Sequence, residues 1–199
     1  MPFGEALLGS ALTLEDYVPG AAFVIDLVNT VAGLRDGDTL TSVGELEALL
    51  ARHDDGATAP AALTDDDVRA VRAVRAALLA ALEAPDDAGA IAALGALLEA
   101  ARHTVGLAER SGGGSGWSWS VAVPPAAPLA ERLQALGAVS LLGVVKALGT
   151  ERFRPCSAPD CSGVFVDTTR AGRRKYCQPA ICGNRQNVAA YRARLSQTP

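Results

Sequence analysis

Apolar residues recur at helical spacing through most of the first 149 positions of the chain. Between Phe23 and Gly33, Val24, Leu27, Val28 and Val31 share one face, while Asp26, Asn29 and Thr30 share the opposite one. This predicts a short amphipathic helix, although the β-branched content also admits a strand. Ser42 and Glu45 stand at capping-box spacing and open a second short helix to about Arg52. Thr64, followed by Asp65, Asp66 and Asp67, places an N-cap and three carboxylates against the positive end of a third helix, which runs to about Glu83, just before Pro85. Asp86 or Asp87 starts a fourth, with Ile91, Leu94, Leu97, Leu98, Ala101 and Val105 at core spacing.

The run Ser111-Gly-Gly-Gly-Ser-Gly116 reads as a flexible connection, because it offers no side chains to pack. Trp117 to Val123 then alternates at period two and predicts a strand with Trp117, Trp119, Val121 and Val123 on one face, the tryptophans covering the helical core. From Pro128 to about Gly149 the chain is apolar nearly all round, the pattern of a central, buried helix. One residue breaks the pattern of the third helix: Arg75 projects within the stripe of Val68, Val71, Leu78, Leu79 and Leu82. A guanidinium there needs a partner, since an uncompensated buried charge costs several kcal/mol. Asp26 and Asn29 on the first helix are the natural candidates, as a fold-specifying polar cluster or as a ligand site.

A chain of 199 residues and 20.4 kDa makes one or two domains, and 49% hydrophobic against 20% charged residues excludes wholesale disorder. The net charge of −4 and pI near 5.2, taken whole, speak against nucleic-acid binding. The charge is not evenly spread. Nine Lys and Arg against nineteen Asp and Glu give −10 over residues 1–149, while nine against three give +6 over residues 150–199. No stretch approaches the ~18 apolar residues of a membrane span, and the first twenty positions carry Glu5 without the basic start of a secretory signal. A cytoplasmic protein with no membrane partner is the expectation.

All four cysteines lie in the basic tail, as Cys156-Ser-Ala-Pro-Asp-Cys161 and Cys177-Gln-Pro-Ala-Ile-Cys182. In a reducing compartment clustered cysteines are more often metal ligands or redox groups than structural disulfides. Two closely spaced pairs follow the logic of a zinc ribbon, in which two knuckles each give two thiolates to one tetrahedral ion. Soft sulfur donors favour zinc or iron over hard cations, so a single structural Zn2+ leads, with a redox or disulfide pair and a rubredoxin-like iron site as the other chemistries. A complete set of four thiolates leaves no open position for a substrate water, which argues against zinc catalysis.

Val164-Phe165-Val166 reads as a short strand between the pairs, and Val188 to Leu195 as a terminal helix. Such a segment cannot build its own core, so metal binding would supply much of its folding free energy. Four thiolates and one Zn2+ still leave the ribbon at about +4. Arg170, Arg173, Arg174 and Lys175 suit phosphates, and Asn184, Arg185, Gln186 and Asn187 can hydrogen-bond base edges, Asn184 and Arg185 alternatively capping the helix and bonding knuckle carbonyls; Arg192 and Arg194, at the end of the helix, are further candidates for nucleic-acid binding.

These residues carry a resemblance. Cys156 to Arg194, with Cys182-Gly183-Asn184-Arg185 and Tyr191-Arg192-Ala193-Arg194, resembles the bacterial zinc-finger family named for its Cys-Gly-Asn-Arg motif. Upstream, Phe23-Val-Ile-Asp-Leu-Val-Asn-Thr30 and Asp38-Thr-Leu40 resemble the start of the ABATE domain. The two resemblances imply a stress-responsive transcription regulator in which Cys156, Cys161, Cys177 and Cys182 hold zinc and Arg173, Arg174 and Arg185 contact nucleic acid. Two departures stand out: Tyr176 replaces the family's usual tryptophan before the third cysteine, and Asn187, Ala189 and Ala190 occupy positions that are commonly basic. The lost charges reduce the expected phosphate contacts.

The expected architecture is mainly α: a helical domain over 1–149 with a short β element, then a four-cysteine zinc ribbon with a terminal helix over 150–199. The expected function is a DNA-binding regulator whose helical domain senses a small-molecule signal or forms a homodimer. An RNA-binding zinc-ribbon protein and a small-molecule-binding protein with a purely structural ribbon are the alternatives. An enzyme is not expected, since His53 and His103 stand apart, no nucleophile motif or phosphate loop occurs, and both histidines read as surface residues.

Overall fold

A computed structural model describes residues 11–13, 17–31, 37–53, 62–109, 116–124 and 126–195. Strand β1 (Ala11–Thr13) is followed by helices α1 (Tyr17–Val28), α2 (Val43–Ala51), α3 (Asp65–Leu82) and α4 (Asp87–Ala100). Strands β2 (Thr104–Glu109) and β3 (Trp117–Ala122) lead into α5 (Leu129–Leu148), then β4 (Phe153–Pro155), β5 (Val164–Val166) and α6 (Asn184–Leu195). The Gly/Ser connection at 111–115 and the expected end of the first helix at 32–33 lie outside the described residues.

The helix starts follow the capping signals in the sequence. Ser42 Oγ accepts the Glu45 N–H at 3.3 Å while the Glu45 carboxylate accepts the Ser42 N–H at 3.0 Å, satisfying donors the first turn would leave orphaned. Thr64 and Asp67 form the same reciprocal pair at the start of α3, and Asp86 Oδ1 accepts the Gly89 N–H at 2.7 Å to cap α4. α1 starts earlier than its apolar pattern suggests, at Tyr17, and ends at Val28.

α5 is the hub of the body, packed against α1, α3 and α4 and buried through most of its length. The α1–α5 crossing is close enough that a Cβ on Gly20 would overlap Ser140 Oγ, so only glycine fits there. Phe23, Val24, Leu27 and Val28 of α1 meet Leu46 and Leu49 of α2, Val71 and Leu78 of α3, and Leu133, Leu136, Leu141 and Val144 of α5 in one core. That core continues into Val164, Phe165 and Val166 and three of the cysteines. The ribbon is thus packed onto the body through α1 and β5.

Two small sheets complete the fold. β1, β3 and β2 form an antiparallel sheet in that order, and β4 pairs antiparallel with β5, Phe153 opposite Val166. β2 is not the helical continuation its apolar spacing suggests: Val105 lies in a strand opposite Val121. A second correction concerns Trp117 and Trp119, which stand exposed instead of covering the helices. Just past the end of β3, Val123 packs with Ala101, Ala127 and Ala135 of the body. Alternation along a strand shows which side chains share a face; it does not show how far along the strand the neighbouring helices reach.

Candidate metal centre and basic face

The two cysteine pairs converge. Cys156 ends the β4 side of the ribbon, Cys161 closes the following turn, Cys177 precedes a single turn of π-helix at Pro179–Gly183, and Cys182 lies inside that turn. Their sulfurs all lie within 4.8 Å of one another, with Cys161 to Cys177 at 3.6 Å and Cys177 to Cys182 and Cys182 to Cys161 at 3.8 Å each. None is joined in a disulfide, and Cys156, Cys177 and Cys182 are buried. Backbone N–H groups aim at the cluster: Gly163 N lies 3.4 Å from Cys161 Sγ and Cys177 N 3.5 Å from Cys156 Sγ.

The electrostatics of these thiols call for a cation. Burial, reinforced by the neighbouring sulfurs, pushes the Cys177 thiol far above its usual range, and burial raises Cys182 as well. At Cys156 burial also raises the pKa, but backbone N–H groups from Ala158 and Cys177 outweigh it and the net direction is down. Four sulfurs this close and this dry cannot all be thiolates unless a positive ion sits among them, so the set is suited to holding one metal ion.

A buried carboxylate and three arginines, none of them evident from spacing alone, frame the centre. Asp167 is fully buried, accepts the Thr169 and Arg174 backbone N–H groups at 3.0 and 2.8 Å, and lies 3.7 Å from the Arg154 guanidinium. Burial raises its pKa, but bonds from Thr169 and Arg174 together with the Arg152 charge outweigh that and hold it down. Arg152 donates to the carbonyls of Asp167 at 3.1 Å and Thr169 at 2.8 Å, and Arg154 to those of Glu151 at 2.8 Å and Gly172 at 2.9 Å. Arg174 departs from the expected role in phosphate contact. Its guanidinium lies over the Phe165 ring at 5.0 Å, donates through Nε to Tyr176 O at 2.9 Å, and donates to Cys177 O. Its reach matches the polypeptide carbonyls of the second knuckle, so it braces the third cysteine.

The remaining basic positions lie on the outside. Arg170, Arg173 and Lys175 are exposed on the turn leading to Cys177, and Arg185, Arg192 and Arg194 are exposed on α6. α6 begins at Asn184, four residues before its apolar pattern starts, because the π-helical turn of the knuckle runs straight into it. Asn184 Nδ2 donates to Ala180 O at 2.8 Å, tying that turn to the helix. Gln186 is half-buried and Arg185 exposed.

The polar cluster expected around Asp26, Asn29 and Arg75 is distributed over three separate contacts. Arg75 is buried as its position in the stripe requires, but its partners are Asp38, at 2.6 and 2.7 Å, and Thr30 Oγ1, at 2.7 Å. Arg72 adds a second guanidinium to Asp38 at 2.9 Å. The hydrogen bond from Arg75 holds the Asp38 carboxyl down to about 2, against the cost of burial. Asp26 instead meets His53 Nε2 at 2.8 Å, and the His53 ring stands edge-on to Phe23 at 5.4 Å, so His53 is a packed residue and not a surface one. Asn29 turns to the ribbon: it accepts the Val164 N–H at 2.9 Å and donates to Val164 O and Ile25 O, both at 2.8 Å. A one-turn offset explains the difference. Thr30 follows the end of α1 and Asp38 is held beside it, the Thr39 N–H donating to Thr30 O at 2.8 Å, while Asp26 lies a turn earlier and meets His53 after α2.

A helical body whose core runs directly into a ribbon of four converging cysteines is the arrangement of a metal-stabilised finger docked on an α-domain. Residues 152–195 match the model of the CGNR zinc finger, and residues 21–144 match that of ABATE, described as "Putative stress-induced transcription regulator". The second match covers most of the chain, and the chain belongs to the ABATE family. No curated protein matches it at a significant level. Among the described residues no helix is long and apolar enough to cross a membrane.

Proposed function

We propose that the protein is a zinc-dependent, DNA-binding transcriptional regulator. Cys156, Cys161, Cys177 and Cys182 hold one structural Zn2+. Tetrahedral zinc with bonds of about 2.3 Å spaces its sulfurs about 3.8 Å apart, in line with separations of 3.6 to 3.8 Å. When bound, the ion supplies folding free energy that a segment with so few apolar residues lacks. Arg170, Arg173, Lys175, Arg185 and Arg192 contact phosphates, with Arg185 and Gln186 nearest the start of α6. Arg152, Arg154 and Arg174 hold the ribbon in shape behind them.

The observation that carries this reading is the sorting of the tail's arginines. Those that stabilise the ribbon point at its carbonyls and at Asp167, whereas the others are exposed on one small, positive unit joined to an acidic body. The −10 charge of residues 1–149 opposes approach of DNA to the body and orients the ribbon toward it. The helical body receives the signal, and α1, which touches both core and ribbon, passes it on.

The test is binding of the zinc-loaded full chain to duplex DNA in competition with structured RNA, alongside capture of genomic DNA by wild type and an Arg173→Ala/Arg185→Ala variant with full zinc content. Preference for duplex DNA, with sequence enrichment lost in the variant, supports the reading. Stronger binding to RNA, or identical DNA recovered by both proteins, overturns it.

A further inference from the structure

Trp117 and Trp119 are the only two tryptophans in the chain, and both lie on β3 beside the turn of the β2–β3 hairpin. Trp119 stands opposite Leu107 in the ladder, and Val105 lies two residues from Leu107 on β2. Residues opposite one another in an antiparallel pair, and residues two apart on one strand, point to the same face of the sheet. The four side chains therefore form an aromatic column beside an aliphatic one. They are 64% (Trp117), 56% (Trp119), 57% (Leu107) and 62% (Val105) exposed. Val121, opposite Val105 on the same face, is buried, so the open area begins beside it and runs toward the turn. A patch of large apolar groups on this scale marks an interaction surface, and a sheet face of this kind is buried by a second layer laid over it.

We propose that this face is a homodimer interface, in which the hairpins of two copies stack face to face, about 10 Å apart as in a two-sheet sandwich. The second copy lies directly over the rings and the two aliphatic side chains, and the strand edges take no part. A twofold axis running across the strands at the level of the Leu107–Trp119 pair makes the two hairpins point in opposite directions. The two bodies then stand at opposite ends of the stack. The same axis brings Trp117 of each copy level with Val105 of the other, a large ring beside a small side chain, so that the facing layers interdigitate. Each copy offers the patch that the other needs, as a twofold interface requires. The four side chains expose on the order of 500 Å2 per copy. Covering both patches removes about 1,000 Å2, the size at which specific interfaces begin, and a dimer of that size dissociates on dilution.

Charge argues for a protein partner here. Exposed tryptophans also serve as stacking platforms for single-stranded nucleic acid, but those platforms lie in positively charged grooves. Trp117 and Trp119 belong to the part of the chain that carries −10, and the basic excess lies in the ribbon. The inference is independent of the nucleic-acid reading, because the interface uses no residue of the ribbon.

Both tryptophans are covered in the stack and open in the monomer, so the interface carries its own reporter. Analytical ultracentrifugation of the zinc-loaded full chain at about 100 µM should give twice the 20.4 kDa chain mass. On dilution to about 0.1 µM the mass should halve and the emission should move to the red as both rings enter water, with helical circular dichroism constant. Val105→Lys/Leu107→Lys places four lysines between the stacked faces, at positions that are exposed in the monomer. It should weaken self-association roughly 100-fold or more and hold the emission at its monomer position at every concentration, with zinc content unchanged. A wild-type monomer throughout the range overturns the proposal. A dimer that forms without moving the emission is joined elsewhere and overturns it, as does a double variant that dimerises like wild type. Tryptophan quenching by single-stranded oligodeoxythymidine on a protein that stays monomeric assigns the face to base stacking and overturns it too. The wild-type dilution series decides the matter even if the double variant does not fold.

Discussion

The carboxamide of Asn29 grips the backbone of Val164 in both directions, accepting its N–H at 2.9 Å and donating to its carbonyl at 2.8 Å. Asn29 belongs to the last turn of the α1 region and Val164 opens β5, so a residue of the helical body completes the hydrogen bonding of the ribbon strand. The sulfurs are close by. A Cβ on Gly163 would come within 2.9 Å of Asn29 Oδ1 and 3.0 Å of Cys177 Sγ, so the body, the strand and the metal centre meet at a point with no spare room.

Asn29→Asp should separate these roles. The carboxylate keeps an acceptor for the Val164 N–H but faces the Val164 carbonyl without a donor, leaving two oxygens in opposition. Both bonds donated by Nδ2, to Val164 O and to Ile25 O, are lost, and leaving a buried partner unsatisfied costs about 1 to 3 kcal/mol for each. Urea unfolding should show this loss, and metal release to a chelator should be faster than in wild type. Unchanged release kinetics would mean that the grip does not reach the metal centre.

Asp38 provides a pH signature in the body. Its folded-state pKa, about 2, lies below the 3.8 of a free aspartate, so its contribution is full above that value and is lost as pH falls through the folded pKa. The shift corresponds to about 2 kcal/mol. Asp38→Asn should therefore be less stable than wild type by about this amount near neutral pH, and the difference should shrink as pH is lowered from about 4 to about 2. In a double-mutant cycle Asp38 and Arg75 should couple, whereas Asp26 and Arg75 should add, because Asp26 is turned to His53.

Helix starts, the buried α5 and the convergence of the four cysteines were legible because each depends on local chemistry: a capping pair, an all-round apolar run, two paired cysteines. What spacing could not give was the identity of partners across the fold. The stripe of α3 shows that Arg75 must be buried and paired, but Asp38 lies outside any helix or strand, with no periodicity to place it opposite Arg75. Arg174 illustrates the converse. In sequence it is one of a run of basic residues with Arg173 and Lys175, yet the backbone sends it inward across Phe165 while its neighbours face out. Adjacent positions on a turn carry no period that would announce such a split.

Removal of the metal should be felt beyond the ribbon. Cys156, Cys177 and Cys182 belong to the same continuous core as Phe23, Leu27 and Leu78. Cys177→Ser, or a strong chelator, should abolish zinc stoichiometry and also lower the melting temperature of the body, with hydrogen exchange rising in α1 before α3. A body that melts unchanged after metal loss would show that the ribbon is only tethered to it.

The two classes of arginine make opposite predictions for nucleic-acid binding. Each phosphate contact contributes about 0.9 to the slope of log affinity against log salt. Arg173→Ala and Arg185→Ala should each reduce that slope by close to this amount, since both side chains are exposed, and should leave zinc content and stability within about 0.5 kcal/mol of wild type. Arg174→Ala should do the reverse. It removes donors from the Tyr176 and Cys177 carbonyls and the cation over Phe165, so metal retention and stability should fall. The slope measured on the fraction still loaded with zinc should stay near the wild-type value. If Arg174→Ala instead keeps its zinc and loses slope, the guanidinium leaves Phe165 to meet phosphate, and the sorting of the ribbon's arginines into inner and outer sets is wrong.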